Sequence, residues 1–124
     1  MYLLIDSSKK DKISFCFFDN NQVEWKQKQG KSKDFLRILD SFLSEKGLSK
    51  YDIQGIAVVT GKGRFTSTRI TTVIANIFGY TQDLPLISIS KRQAKDPKQL
   101  ISKLSSQSRG QYISAKYSGK PNIN

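Results

Sequence analysis

The sequence predicts an α/β domain built on a mixed five-stranded sheet, with elements in the order βββαβαβα and one more strand after them. Three observations carry that expectation. Short strand-like runs fill the first 30 residues, two later segments repeat their apolar residues at helical spacing, and between those segments lies the uninterrupted apolar run Gly55-Ile56-Ala57-Val58-Val59. Antiparallel strands followed by alternating helices and strands imply a sheet that is antiparallel at one side and carries right-handed βαβ crossovers at the other.

The opening strands are Tyr2 to Asp6, Ile13 to Phe18 and Gln22 to Lys28, separated by the polar links Lys9-Lys10-Asp11 and Asp19-Asn20-Asn21. Links this short join antiparallel neighbours, so a meander is expected. From Ser32 to Lys46 the period changes: Phe35, Leu36, Ile38, Leu39, Phe42 and Leu43 recur as on a helix, with Ser32 as N-cap and Gly47 as the stop. At 100° per residue they span an arc of roughly 160°, wider than the stripe of roughly 100° that a surface helix needs, so this helix could touch more than its own sheet, although core packing alone also accounts for the stripe. Ser49-Lys50-Tyr51-Asp52 reads as a capped turn. The strand over Ile53 to Thr60 is continuous rather than alternating, as in a parallel strand covered on both faces. A glycine-containing loop, Gly61 to Phe65, leads into a helix near Thr66 to Gly79, with Ile70, Val73, Ile74, Ile77 and Phe78 on one side. Pro85 to Ile89 is a short strand, Ser90 to Leu104 a basic helical stretch, and Gln111 to Tyr117 a weakly alternating last strand. This order is the ribonuclease H-like arrangement shared by actin-like ATPases and many nucleases, and it leaves function open.

Composition closes several functional classes. A chain of 124 residues with no histidine and one cysteine cannot build the usual zinc sites, a Ser-His-Asp triad or a disulfide framework. No apolar run approaches the roughly 20 residues that cross a bilayer. The start Met1-Tyr2-Leu3-Leu4-Ile5-Asp6 puts an acid where a signal peptide would stay apolar, so a cytoplasmic protein is expected. The net charge of +11 is uneven: residues 91–124 hold eight basic groups against Asp96 alone. Such clustering suits a phosphate backbone. Sixteen of the 21 cations are lysine, however, as an AT-rich coding bias would also produce, and a merely solvated surface stays open.

Individual motifs are weaker. Asp6, with Ser7 and Ser8, ends the first strand where actin-like ATPases hold metal and phosphate; alternatively it caps the strand turn. A nuclease of this fold needs several carboxylates around two metals, and the later strands offer no convincing second one. Gly61, Gly63 and Thr66 sit between a strand and a helix start, where free N–H groups meet anions. The loop lacks Walker spacing, and a tight turn explains the glycines equally. Arg69 in the first helical turn opposes the macrodipole, which suggests a specific partner, within the chain or across an interface, while a solvated arginine stays equally open. Cys16 reads as a small buried apolar residue, while Trp25 and Tyr112 form no stacking platform.

The segment Gly55 to Ile70, together with Ile5-Asp6-Ser7-Ser8 and Leu84-Pro85-Leu86-Ile87-Ser88-Ile89-Ser90, resembles the TsaB (YeaZ) family. That family has an I-D-T-S start, a segment of the form aiavgxGPGSFTGxRIG and a strand of the form giPlvgvsSL. Gly61, Gly63, Phe65, Thr66, Arg69 and Ile70 match in register, whereas Lys62, Arg64, Ser67 and Thr71 replace a proline, a serine and two glycines. Arg109-Gly110-Gln111-Tyr112 weakly resembles the start of the family's second lobe. The expectation is therefore a shortened member, with residues 1–105 as the TsaB-like N-terminal lobe and 106–124 as a remnant strand and tail.

The resemblance implies a noncatalytic scaffold for threonylcarbamoylation of adenosine 37 in ANN-decoding tRNAs. Its partners would be TsaD, which holds the metal through a histidine pair, and the TsaE ATPase through the complex, or a second copy in a homodimer. It implies no cofactor of the chain's own, with ATP, ADP or metal belonging to the complex with TsaD and TsaE. The family's contact uses the two helices, here Phe35, Leu36, Leu39, Phe42, Leu43, Arg69, Ile70, Val73 and Ile77. Lys62, Arg64, Lys91, Arg92 and Lys95 are the candidate tRNA contacts, and Asp6, Ser7, Gly61, Gly63 and Thr66 the candidate phosphate or nucleotide contacts. Two other classes stay open: a standalone basic nucleic-acid-binding module on the same fold, and a reduced actin-like or nuclease-like enzyme.

Overall fold

The expected meander forms from the three opening strands. A computed structural model describes residues 1–9, 11–30, 34–60 and 65–107, with the backbone alone for 65–70. In it, β1 (Tyr2–Asp6) pairs antiparallel with β2 (Lys12–Phe18), which pairs antiparallel with β3 (Val23–Gln29). After α1 (Phe35–Glu45), strand β4 (Ile56–Val59) lies parallel to β1. After α2 (Phe65–Gln82), β5 (Leu86–Ile89) lies parallel to β4, giving the sheet order β3-β2-β1-β4-β5. The last described helix is α3 (Ile101–Ser106). The mixed five-stranded α/β fold expected from the sequence is present.

Two cores follow from the strand period of two. Leu3, Ile5, Ile13, Phe15, Phe17, Ile56 and Val58 face α1 and α2, while Leu4, Cys16, Phe18, Ala57 and Val59 face the segment that ends in α3. Both faces are therefore covered, which is why β4 carries no polar alternation. Cys16 is fully buried, and desolvation pushes its thiol up to about 12, so it packs as an apolar side chain.

Helix ends are closed by backbone geometry. At the end of α1, Gly47 adopts φ 71°, its N–H donates to Ser44 O at 3.0 Å, and Leu48 N–H donates to Leu43 O at 2.8 Å. This is the Schellman pattern, and glycine accepts the left-handed conformation without steric cost. Asp83 plays the same part after α2 at φ 54°, with Leu84 N–H donating to Gly79 O at 2.8 Å. The Ser49 turn is a capping box, in which Ser49 N–H donates to Asp52 Oδ2 at 2.8 Å.

Two expectations are corrected and two fall outside the described residues. The stretch from Ser90 to Leu104 is not one helix: Gln93–Lys95 and Pro97–Leu100 are 3-10 turns, and only then does α3 begin. Pro97 is the cause, because the residue before a proline is pushed out of the helical region, and Asp96 sits at φ −134°, ψ 77°. The strand over Ile53 to Thr60 shortens to Ile56–Val59. Helix α1 starts at Phe35 after Asp34, while the Ser32 cap and the strand over Gln111 to Tyr117 lie outside the described residues.

Gly79 brings α2 close to β5: a Cβ there would lie 2.8 Å from Leu86 Cγ. Gly79→Ala gains about 1 kcal/mol of helix propensity but incurs an overpacking cost of about 1–3 kcal/mol. A melting temperature lower by about 4 °C is expected in a thermal scan, roughly 1 kcal/mol for a domain of this size. An unchanged or higher melting temperature would show that α2 can shift away from the sheet.

Candidate functional site

Helices α1 and α2 lie side by side on one face of the sheet, and their packing decides which apolar residues stay accessible. Phe35, Ile38, Leu39, Phe42 and Leu43 all turn into the first core. The wide stripe on α1 is thus mostly consumed within the chain, by the sheet and by Ile53, Leu48 and α2. Of the α1 residues expected at a partner interface, Phe35, Leu39, Phe42 and Leu43 are buried, and Leu36 alone is exposed, at 50%. On α2 the expected Val73 and Ile77 are exposed, at 55% and 59%.

Tyr80, which the sequence reading overlooked, extends that exposed line. Val73, Ile77 and Tyr80 stand at spacings of four and three, so they form one stripe on the side of α2 turned away from buried Thr72, Ala75 and Gly79. That spacing was the available signal. Between Leu36 and this stripe runs a groove of about 290 Å³, lined by Ile74, Phe78 and Thr81 from α2 and by Asp40 and Lys50 at the α1 side. An apolar channel with one acid and one base on its rim has the chemistry of a protein-docking surface. Arg69, Ile70 and Thr66 belong to α2 by their backbone, their side chains lying outside the described residues, as do Gly61, Lys62, Gly63 and Arg64.

A second constellation occupies the C-terminal end of β1. Asp6 points to the α3 side of the sheet and is nearly buried. Ser8 donates to its Oδ1 from N–H at 2.9 Å and from Oγ–H at 2.6 Å. Lys91, just after β5, donates from Nζ to Asp6 Oδ2 at 2.5 Å and to Ser8 Oγ at 3.1 Å. The candidate phosphate or metal acid is thus both a turn cap and one half of an ion pair. Ser7 is buried beside it. Lys91, expected at an RNA surface, is committed to Asp6; Arg92 and Lys95 are exposed. Among the described residues no group of three or more Cys, Asp or Glu is placed to hold a metal. Nor is any described helix long and apolar enough to cross a membrane.

Burial by itself raises the Asp6 carboxyl, but the hydrogen bonds from Lys91 and Ser8 outweigh it and hold the pKa below the ordinary 3.8. Because the acid ionises more readily in the fold than in the unfolded chain, its contribution is complete above 3.8 and is lost as pH falls through the lower folded value. Lys91→Met should cost about 1 kcal/mol at pH 7, below the roughly 1.5–3 kcal/mol of a charged hydrogen bond because the ammonium is half in water. In urea melts the gap between the two proteins should close as pH falls below 3.8. A gap that persists at pH 2 would assign the loss to packing of the lysine stem.

Residues 26–99 match the model of the family described as TsaD, tRNA N6-adenosine threonylcarbamoyltransferase. No curated protein matches the chain. Among solved structures, YeaZ from Pseudomonas aeruginosa is similar at a TM-score of 0.65 and 18% identity, over 77% of this chain and 50% of that one. An uncharacterised protein with similarity to peptidase YEAZ from Pseudomonas aeruginosa is similar at 0.63 and 20%, over 73% of this chain and 44% of that one. At such identities the likeness is one of fold, and the chain spans about half the length of these structures. With more than half of its residues matched by the family model, the chain belongs to the TsaD family and has the fold of YeaZ.

Proposed function

We propose that the chain is a noncatalytic scaffold that docks a TsaD-type lobe through the α1/α2 surface and supports threonylcarbamoylation of adenosine 37 in ANN-decoding tRNAs. The observation that carries this reading is the exposed line of Leu36, Val73, Ile77 and Tyr80 beside an apolar groove, on the two helices that the TsaB resemblance implicates. Large exposed apolar side chains in one place mark association surfaces. The lack of histidine supports the noncatalytic part, since the resemblance puts a histidine pair on the metal in the transferase subunit. The engagement of Asp6 by Lys91 supports it also, because the fold's usual metal acid already has a cation.

The test is to mix the chain with a TsaD-type transferase and measure mass in solution and tRNA threonylcarbamoylation. A stoichiometric complex, with activity that needs both chains, is expected. Failure to form a complex at micromolar concentration, or modification by this chain alone, would overturn the proposal.

A further inference from the structure

The opposite face of the sheet carries a feature that docking does not use. Between Ser90 and Gln107 the buried residues are Ala94, Pro97, Leu100 and Leu104, at spacings of three, three and four. That spacing lays one edge of the segment on Leu4, Cys16, Phe18, Ala57, Val59 and Ile89 and turns the intervening side chains to solvent. Those side chains include Arg92, Lys95, Lys98 and Lys103, all exposed and without an ion-pair partner among the described residues. The segment's one acid is Asp96. Lys91 is held by Asp6 and Ser8, which fixes the start of the segment against β1.

We infer that this α3-side face binds the phosphate backbone of RNA, through Arg92, Lys95, Lys98 and Lys103, independently of base sequence. Unpaired cations gathered on one face release counterions when they meet phosphates, a gain that cations already paired or scattered do not give. RNA is favoured over an anionic membrane because every large apolar side chain of the segment except half-buried Ile101 is turned inward, leaving little to enter a lipid interface. Gln99 and Ser102 are exposed among the cations and suit hydrogen bonds to phosphate oxygens. Because this face lies across the sheet from the α1/α2 groove, the inference goes beyond the docking proposal and can fail or succeed without it.

The experiment uses the whole chain with two fluorescent RNAs, an unmodified tRNA transcript and an unrelated hairpin of equal length, read by anisotropy between 50 and 200 mM salt. Both should bind within a few-fold of each other. Lys98→Glu/Lys103→Glu should lower affinity at least about tenfold and flatten the plot of log K against log salt by about 1.4–1.8, the loss of two phosphate contacts. The charge-matched variant Lys28→Glu/Arg37→Glu, on the helix-bearing face, should change affinity by less than about threefold. Equal losses in the two variants would mean that diffuse net charge does the binding and would overturn the assignment. So would a strong preference for one RNA, or binding of phosphatidylserine vesicles in place of RNA.

Discussion

Ile77→Asp is expected to abolish binding of a TsaD-type partner while leaving the protein folded. Ile77 is 59% exposed at the middle of the α2 stripe and lines the groove toward α1, so in the free protein an aspartate there meets water. In a complex the same carboxylate would be buried against apolar surface without a partner. Truncating a central apolar anchor costs about 2 kcal/mol or more, and an unpaired buried charge adds further, so a loss of at least about a hundredfold in affinity is expected. Leu36→Asp should act similarly from the other wall. Phe35→Asp is the wrong probe, because Phe35 is 1% exposed and packs 5.3 Å from the Phe15 ring, so it would remove the fold along with the complex. Ser102→Asp, exposed on the α3 side, should leave partner binding unchanged. Titration calorimetry paired with a thermal melt of each variant separates the cases. An Ile77→Asp chain that melts normally and binds within about twofold would sink the groove as the interface.

How much of this was legible in the sequence depends on which residues compete for the same space. The sheet was readable because its signals are local: the two polar links set the meander, and the uninterrupted run from Gly55 to Val59 announced a strand covered on both faces. Gly47 announced the end of α1 for a similar reason, since few residues other than glycine enter the left-handed region cheaply. The site was less readable. An arc of six apolar residues on α1 does not say which neighbour consumes it, and the long core formed by Phe15, Phe17 and Ile53 takes all but Leu36. The α2 stripe was half visible: Val73 and Ile77 were picked out, but Tyr80 fell past the helix end expected at Gly79, and the helix runs on to Gln82. Charge alone could not distinguish Lys91 from Lys95 or Lys98. That distinction rests on the partner 85 residues away, Asp6, which only the parallel placement of β1, β4 and β5 brings within reach.

Phe15→Ala should be the most damaging single truncation in the meander, because one ring ties the sheet to the helix that forms half of the groove. Phe15 is fully buried on β2, with ring centroids 5.3 Å from Phe35 and 5.7 Å from Phe42 on α1, and 6.5 Å from Phe17 beside it. Removing the ring loses its transfer free energy and leaves a cavity that three fixed aromatics cannot collapse into, at a cost of about 3–5 kcal/mol. Against a total stability of about 5–15 kcal/mol, that is roughly a fifth to the whole of what holds a typical domain together. The melting temperature should fall by about 12–20 °C, taking about 4 °C per kcal/mol for a chain of this length. Phe15→Leu keeps most of the volume and should fall by less than half as much. The contrast also tests the route from core to surface. If α1 is held in place chiefly by this ring, Phe15→Leu should weaken partner binding even at temperatures where it is fully folded, since Leu36 and Asp40 ride on the same helix. Full binding by folded Phe15→Leu would show instead that Ile38, Leu39 and Leu43 suffice to hold the groove wall.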